Sequence, residues 1–384
     1  MADSFEGTAR GRRSPAGGAR TLAAAFAGVA LASACSGYDG GGGSYTPSSA
    51  GSGGGGGTGV GPTGLTGSIY VLSDDAERLL GPTTVAVRRR DELFDIQDFW
   101  VANGQLSGLF GGAPAKLPFS AVSMSPNGEV FRATEITLDG DFYPEGIASA
   151  RDGTLYIGSV ALNTVVRVPA NSTTPEPFVP AGVAAAGVMG MEVDDDRGLL
   201  WLCDSDPRDM PRTGAVVGVS LDDGSEVVRH VLAAPDADSL FCNDLAIDDY
   251  NGDVWATESI AGIIYRIDAA DVMTPDSAEI WMRGGLAAPP AGAFGPNGLV
   301  VAGNTLFVAN AGNGALFTVE TTSDDPVADA RAITLSEGDR TGVSLCGPDG
   351  LLGVLGPTDG TDLIVVENGD CTAATPRVVR IVLP

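Results

Sequence analysis

The feature that most constrains the fold is a short two-strand unit that recurs five times along the chain. In each copy a lead residue opens an apolar run of strand length, and a second apolar run follows after a turn rich in Asp, Asn or Gly. Two such runs around a tight turn are typical of a β-hairpin. The lead residues, spaced 44, 54, 54 and 52 positions apart, are Glu145, Met189, Asn243, Asn297 and Asp349.

Further apolar runs behind each hairpin predict third and, in four copies, fourth strands, and a strand-only repeat of this length is typical of propeller blades. The last copy ends after three strands, so a strand over residues 68–72 is predicted to complete it and close the ring. The fourth strand of the fourth copy is predicted over Ala332–Leu335. Residues 75–138 are expected to supply a degenerate blade without a clean lead motif. We therefore predict an all-β, six-bladed β-propeller of four-stranded blades over residues 67–384.

The charge of the chain restricts its partners. The net charge of -27 argues against nucleic acid or an anionic membrane surface, because both bind through basic patches. We expect a monomer that meets a membrane only through an N-terminal anchor.

The first 34 residues are typical of an export signal. Several arginines precede an apolar stretch from Thr21 to Ala34 that is too short to span a bilayer comfortably. The end of this stretch together with the next residue, Leu31 to Cys35, resembles the lipobox of bacterial lipoproteins, which implies lipidation of Cys35. Ala32-Ser33-Ala34 also fits an ordinary signal-peptidase site, so both kinds of processing remain open.

A lipidated Cys35 would attach an exported protein to the bacterial cell envelope, at the outer membrane on its periplasmic or surface side. Residues 35–66 are rich in Gly and Ser and show no hydrophobic pattern. Such segments behave as flexible coil, so we predict a tether between anchor and propeller.

Four further cysteines are compatible with two disulfide bonds in an exported chain. The pairs that join neighbouring hairpins are Cys203 with Cys242 and Cys346 with Cys371. Free buried thiols are the alternative.

The lead residues are expected to converge at one end of the central channel, because the first strand of a propeller blade lies innermost. Strands alternate in direction, so the ends of the second strands should lie at the same face. Those residues are Ser159, Asp204, Glu258, Asn310 and Glu367.

The lead set contains two carboxylates and two amides, Glu145, Asp349, Asn243 and Asn297. Hard oxygen donors of this kind suit Ca²⁺. They do not suit zinc, because His230 is the only histidine and no cysteines have ligand spacing. The alternative is that Asp, Asn and Gly recur here only because turns favour them.

The order Glu, Asn, Asn, Asp on successive inner strands resembles the calcium-dependent six-bladed propellers that include gluconolactonase, regucalcin, diisopropylfluorophosphatase, paraoxonase and strictosidine synthase-like proteins. The resemblance covers about residues 142–384. It implies that Glu145, Asn243, Asn297 and Asp349 hold a catalytic Ca²⁺, and that Asp349 is also the general base or nucleophile. The implied activity is hydrolysis of a small lactone or ester.

Four other residues are expected to stand behind these ligands or to face the substrate: Met189, Glu258, Asn310 and Glu367. Met189 departs from the pattern because it supplies no oxygen. His230 is expected on an outer strand, which argues against the histidine-based mechanism of paraoxonases. A non-catalytic propeller of the NHL type, which binds an envelope protein or a glycan around a structural or vestigial ion, is the competing hypothesis.

Overall fold

The computed structural model describes residues 64–91, 96–110, 112–126, 130–180, 182–184, 186–208, 211–355, 361–369 and 375–384. Residues 1–63, with the predicted signal and most of the predicted tether, lie outside this range. The described chain confirms the predicted class: it is all-β, and six sheets form the six blades of a propeller. Among these residues no helix combines the length and the apolar character needed to cross a membrane.

Blades 1 to 5 are antiparallel sheets whose strands follow one another in the chain. Blade 1 contains Pro82–Asp91, Ile96–Asn103, Phe119–Met124 and Val130–Leu138. Blade 2 contains Pro144–Ser149, Leu155–Ser159, Thr164–Val168 and Glu176–Val179. Blade 3 contains Val188–Asp194, Leu199–Asp204, Ala215–Ser220 and Glu226–Val231. Blade 4 contains Cys242–Ile247, Val254–Glu258, Ile263–Ile267 and Glu279–Arg283.

Blades 5 and 6 complete the ring. Blade 5 contains Pro296–Ala302, Thr305–Asn310, Ala315–Glu320 and the short strand Arg331–Ala332. Blade 6 contains Pro348–Leu355, Thr361–Glu367, Arg377–Val382 and the N-terminal strand Thr66–Ser73, to which Thr334–Glu337 and Arg340–Val343 are added outside. The helical elements described are the 3-10 helices Leu106–Phe110 and Gly285–Ala287 and the α-helical turn Pro326–Asp329.

The N-terminal strand closes the ring as predicted. Thr66–Ser73 runs antiparallel to Arg377–Val382, with Ile69 opposite Ile381. Both ends of the propeller chain therefore lie side by side in blade 6, which removes a sheet edge that would otherwise be exposed.

The predicted fourth strand of blade 5, Ala332–Leu335, is wrong because the chain changes sheets within it. Ala332 pairs with Phe317 of blade 5, whereas Thr334 pairs in parallel with Thr66 of blade 6. Ile333 and Leu335 are both buried in the apolar cluster between the two blades. Either sheet satisfies the same alternation of apolar residues, so the pattern alone did not reveal the crossing.

The core lies between the blades. Each apolar cluster joins neighbouring blades, as where Trp201 of blade 3 and Tyr265 of blade 4, both fully buried, belong to one cluster. At the centre, the first strands of blades 1 to 6 contact one another in cyclic order. This closed inner ring positions the lead residues.

Candidate functional site

The lead residues occupy the same structural position in every blade. In each blade the ladder between the first and second strands is irregular across the lead residue and the residue after it. The residue before the lead always pairs with the last residue of the second strand, as Pro82 pairs with Asn103. Such bulges bend a strand and re-aim its side chains. Blade 1 follows the same rule, which makes Thr83 its lead residue.

Thr83 was missed in the sequence, although a signal was present. Gly81-Pro82 precedes it just as Gly295-Pro296 precedes Asn297 and Gly347-Pro348 precedes Asp349. Its hydroxyl donates to the backbone oxygen of Glu145 at 2.9 Å, so it ties blade 1 to blade 2.

Neighbouring blades meet closely at the residue that follows each lead position. Gly146, Gly190 and Gly298 are so close to the next blade that a Cβ on any of them would overlap it. Between blades 4 and 5 the contact is polar instead, because Thr257 Oγ1 donates to the backbone oxygen of Asn297 at 2.8 Å. The lead residues therefore form a continuous ring around the axis.

Glu145 is a strongly perturbed carboxyl group of this ring. Its residue is only 2% exposed, and its Oε2 has no hydrogen-bond partner. Burial raises its pKa well above the usual value, and the negative charges of Asp349 and Asp244 raise it further. A buried acceptor without a partner beside two other carboxylates requires either a proton or a cation.

Asp244 is a second site residue that the sequence analysis overlooked. It directly follows lead residue Asn243, where four other blades carry glycine. Its carboxylate accepts the backbone N–H groups of Leu245 and Leu299, yet burial still raises its pKa to about 7. The departure from the glycine pattern was the available signal.

The amide of Asn243 is oriented by Ser259. Asn243 Nδ2 donates to Ser259 Oγ at 2.8 Å, and that hydroxyl donates to the backbone oxygen of Pro296 at 2.5 Å. Because the amide nitrogen is engaged in this way, Oδ1 is the atom that Asn243 presents as a hard donor. Ser259 is thus a further residue that the sequence analysis missed.

Asp349 lies on the first strand of blade 6 and is 5% exposed. Asn368 Nδ2 lies 3.4 Å from Asp349 Oδ2 and donates a long hydrogen bond to it. Asn297 occupies the equivalent position in blade 5 and is 8% exposed. The structure therefore brings all four predicted ligands to the same end of the inner ring.

Met189 fills the remaining lead position, in blade 3, and is buried in an apolar cluster with Phe241. Glu192, three residues along the same strand, is accessible to solvent but surrounded by protein. That enclosure, helped by the charges of Asp244 and Asp249, raises its pKa to about 8. The inner strands thus carry a further carboxyl group beyond the lead ring, and it is largely protonated near pH 7.

The last residues of the second strands anchor the loops that enter each blade. Glu258 Oε1 accepts Phe241 N–H at 2.9 Å, and Glu367 Oε1 accepts Cys346 N–H at 2.5 Å. Asn310 Nδ2 donates to the backbone oxygen of Leu286 at 3.1 Å. The same role recurs at Asn103, Ser159 and Asp204.

Glu258, Asn310 and Glu367 are all fully buried by this loop anchoring. Glu258 accepts two more N–H groups, from Ile260 and Ala261, and Glu367 also pairs with Arg377. The geometry therefore gives these side chains a structural task. Contact between any of them and a substrate stays a prediction.

The predicted disulfide between Cys203 and Cys242 is present, with the two Cα atoms 5.3 Å apart. It joins blades 3 and 4 next to lead residue Asn243. Cys346 is also disulfide-bonded. Cys371, the partner predicted for it, lies outside the described residues.

His230 is remote from the ring. It lies on the fourth strand of blade 3, fully buried, where Nε2 is 3.0 Å from the backbone oxygen of Val272. Burial lowers its pKa. Its place on the outermost strand agrees with the expectation from the sequence.

The donor set fits a calcium ion better than a softer metal. In the described part of the chain no group of three or more His, Cys, Asp or Glu side chains is arranged as a metal site. The predicted set mixes carboxylates with amides, a combination that Ca²⁺ accepts and zinc does not favour. The unpartnered Oε2 of Glu145 leaves an oxygen at this place that either a proton or a cation would satisfy.

Comparison with known proteins supports the propeller fold. A family model described as strictosidine synthase-like, N-terminal, matches residues 124–161, a segment that contains Glu145. A luciferin-regenerating enzyme is 12% identical over 82% of this chain and 95% of its own, with a TM-score of 0.54. A streptogramin B lyase is 10% identical over 82% of this chain and 98% of its own, with a TM-score of 0.48.

A chain of a nidogen/laminin complex is 16% identical over 66% of this chain and 82% of its own, with a TM-score of 0.44. No curated protein sequence matches the chain. The family match and the likeness to the luciferin-regenerating enzyme support a propeller fold with a strictosidine synthase-like segment, and they do not single out the gluconolactonase branch.

Proposed function

We propose that the chain is an exported, Ca²⁺-dependent hydrolase of small lactones or esters. The observation that carries the proposal is the buried Glu145 carboxylate, which has an unpartnered oxygen and lies close to the charges of Asp349 and Asp244. A Ca²⁺ ion held by Glu145, Asn243, Asn297 and Asp349 would neutralise this charge with the oxygen ligands that the ion prefers.

Bound there, Ca²⁺ would polarise the carbonyl group of a substrate. The chain itself supplies the attack through Asp349. Its carboxylate either accepts the proton of a water molecule that attacks the carbonyl carbon, or itself adds to that carbon. In the second case the ester C–O bond breaks, the alcohol leaves with a proton from water, and water then hydrolyses the acyl anhydride on Asp349. Asn368 holds Asp349 Oδ2 in place by its hydrogen bond, and burial of the ring limits the access of bulk water to the oxygen atoms of Asp349.

The test combines Ca²⁺ binding with turnover of aryl esters and γ-lactones. We expect Ca²⁺ to raise the melting temperature of chelator-treated protein, because a ligand of the native state stabilises it. Asp349→Asn should abolish turnover and leave the fold intact. Asp152→Asn, in an exposed turn at the other end of blade 2, is the control and should retain activity. Equal turnover by Asp349→Asn and wild type would sink the mechanism.

A second candidate is a non-catalytic, NHL-like propeller that binds an envelope protein or glycan around a structural ion. The observation in its favour is that Glu258 and Glu367 are occupied by loop anchoring, which removes two side chains expected to serve a substrate. Stabilisation by Ca²⁺ without turnover of any ester or lactone would favour this function over hydrolysis.

We also propose that residues 1–34 direct export, that Cys35 is lipidated, and that the segment from residue 35 to the strand beginning at Thr66 tethers a monomeric propeller to the bacterial cell envelope. The sequence between Leu31 and Cys35 supports this proposal. Lipidation predicts that wild-type protein sediments with membranes and that Cys35→Ser releases it. Equal release of both proteins would instead favour ordinary signal cleavage.

A further inference from the structure

A segment of blade 1 lies against the axial ring. The connection between the second and third strands of this blade begins at Gly104 and contains the 3-10 helix Leu106–Phe110. Gly104 is buried, and a Cβ placed on it would lie 2.6 Å from the backbone oxygen of Pro144, the residue before Glu145. The segment Gly104–Phe110, which we call the cover, therefore starts in contact with the residue that precedes the candidate ligand Glu145.

The base of the cover is fixed by hydrogen bonds. Gln105 N–H donates to the backbone oxygen of Gly81 at 3.0 Å, next to the lead motif of blade 1. The Gln105 side chain donates to the backbone oxygen of Lys116 at 2.9 Å and accepts Lys116 N–H at 2.7 Å. These bonds join the beginning of the connection to its end and hold the helix in a defined place.

Two leucines of the cover reach beyond their own blade. Leu106 and Leu109 are three residues apart on a 3-10 helix, so their side chains lie on one side of it. Both pack against the apolar cluster that contains Val160 of blade 2 and Met189 of blade 3. The cover therefore spans from blade 1 towards the lead residue that supplies no oxygen.

Phe294 extends this apolar surface from the other side. It lies in the connection into blade 5, packs against the same cluster, and stacks with Phe241 at 5.5 Å between ring centroids. Leu106, Leu109 and Phe294 are each only partly buried, so apolar atoms remain uncovered beside the ring. An apolar group bound there would cover these atoms and gain hydrophobic free energy.

We propose that the cover selects the substrate, with Leu106 and Leu109 binding a hydrocarbon substituent of the ester or lactone against Met189 and Phe294. This inference rests on the proposed function and names its substrate class: esters and lactones that carry an alkyl chain, in preference to acetate esters or polyhydroxylated lactones. The proposal also gives Met189 a role. Its thioether, which stands among oxygen donors, provides an apolar wall for the alkyl substituent beside the reacting carbonyl.

The expected discrimination follows from burial of methylene groups. Complete burial of one methylene strengthens binding about fourfold, and partial cover gives about twofold. At about twofold each, six added methylenes predict about a 60-fold rise in kcat/KM from acetate to octanoate.

The experiment measures kcat/KM of Ca²⁺-loaded protein with p-nitrophenyl acetate, butyrate, hexanoate and octanoate. In wild type, kcat/KM should rise with acyl chain length. The double variant that carries Leu106→Ser and Leu109→Ser should lose most of this rise. Leu117→Ser is the matched control, because Leu117 belongs to the same connection but is 63% exposed. If kcat/KM of wild type does not change with acyl chain length, the proposal is overturned, whether or not the double variant folds. An unchanged dependence on chain length in a folded double variant also overturns it.

A second measurement separates this inference from the proposed function. Calorimetry of γ-lactones with increasing alkyl chains, on the Asp349→Asn variant, reports binding without turnover. If affinity grows with alkyl chain length but wild-type protein hydrolyses no substrate, the proposed role of the cover is supported and the proposed hydrolase activity is refuted. Hydrolysis with no chain-length dependence keeps the hydrolase and refutes the cover. Absence of both binding and hydrolysis refutes both.

Discussion

Substitution of Gly350 by alanine tests the closed axial ring directly. Gly350 follows Asp349, and a Cβ on it would lie 2.6 Å from Thr84 Cα and 3.0 Å from the backbone oxygen of Thr83. Carbon atoms in contact prefer about 3.5–4.0 Å, so the strand must retreat from blade 1 by about 1 Å. Both obstacles are backbone atoms, so no side-chain rotation relieves the overlap.

The cost of Gly350→Ala is estimated from overpacking and chain entropy. Overpacking destabilises a core by about 1–3 kcal/mol, and alanine returns about 0.4–1 kcal/mol through the unfolded chain. With the overlap between backbone atoms we expect a net loss of about 2 kcal/mol, which lowers the melting temperature of a domain of this size by about 3 °C. Because Asp349 moves with its neighbour, Ca²⁺ should bind at least about tenfold more weakly.

Thermal melting and Ca²⁺ calorimetry check both effects, with Gly353→Ala as the matched control. Gly353 lies on the same strand, and a Cβ there would meet Val300 Cγ2 at an ordinary 3.4 Å. The control should keep the wild-type melting temperature and affinity. If Gly350→Ala behaves like the control in both assays, blades 6 and 1 do not meet as described and the reasoning fails.

Two further predictions concern pH. Burial and neighbouring carboxylates raise the pKa of Glu145, so the folded protein retains a proton that the unfolded chain releases. Protein treated with chelator should therefore lose stability as pH rises above 4.5, and either Ca²⁺ or Glu145→Gln should weaken this loss. Equal denaturation midpoints at low and high pH without Ca²⁺ would contradict the prediction. Burial lowers the pKa of His230, so stability should fall as pH drops below 6.5, which is the pKa of this histidine in the unfolded chain. NMR titration of this single histidine measures the shift, and a midpoint at 6.5 in the folded protein would refute it.

The blade repeat was predictable because each lead motif combines turn chemistry with two apolar runs at a regular interval. Blade 1 resisted this reading for two physical reasons. Its lead residue, Thr83, is neither a carboxylate nor an amide, and its second and third strands are separated by the long connection that contains the cover. The bulge that equates Thr83 with the other leads appears only when strands are paired in space.

The candidate ligands were predictable from their phase in the repeat, whereas their supporting contacts were not. Ser259 and Asn368 directly follow second strands, and only the folded ring shows that they contact Asn243 and Asp349. Glu258 and Glu367 show the converse. Their carboxylates matched the pattern of a site, but backbone N–H groups of the incoming loops occupy them.

The position of the N-terminal strand has a mechanical consequence. Thr66 to Ser68 pair with Thr334–Glu337 on one side of the strand, and Ser68 to Ser73 pair with Arg377–Val382 on the other. Hydrogen bonds between strands run perpendicular to the chain, so tension applied at residue 64 along this strand loads them in shear. Bonds loaded in shear must fail together, whereas bonds peeled from one end fail singly. A pull on the N-terminal side is therefore resisted by several strands at once, at the seam where the ring is closed.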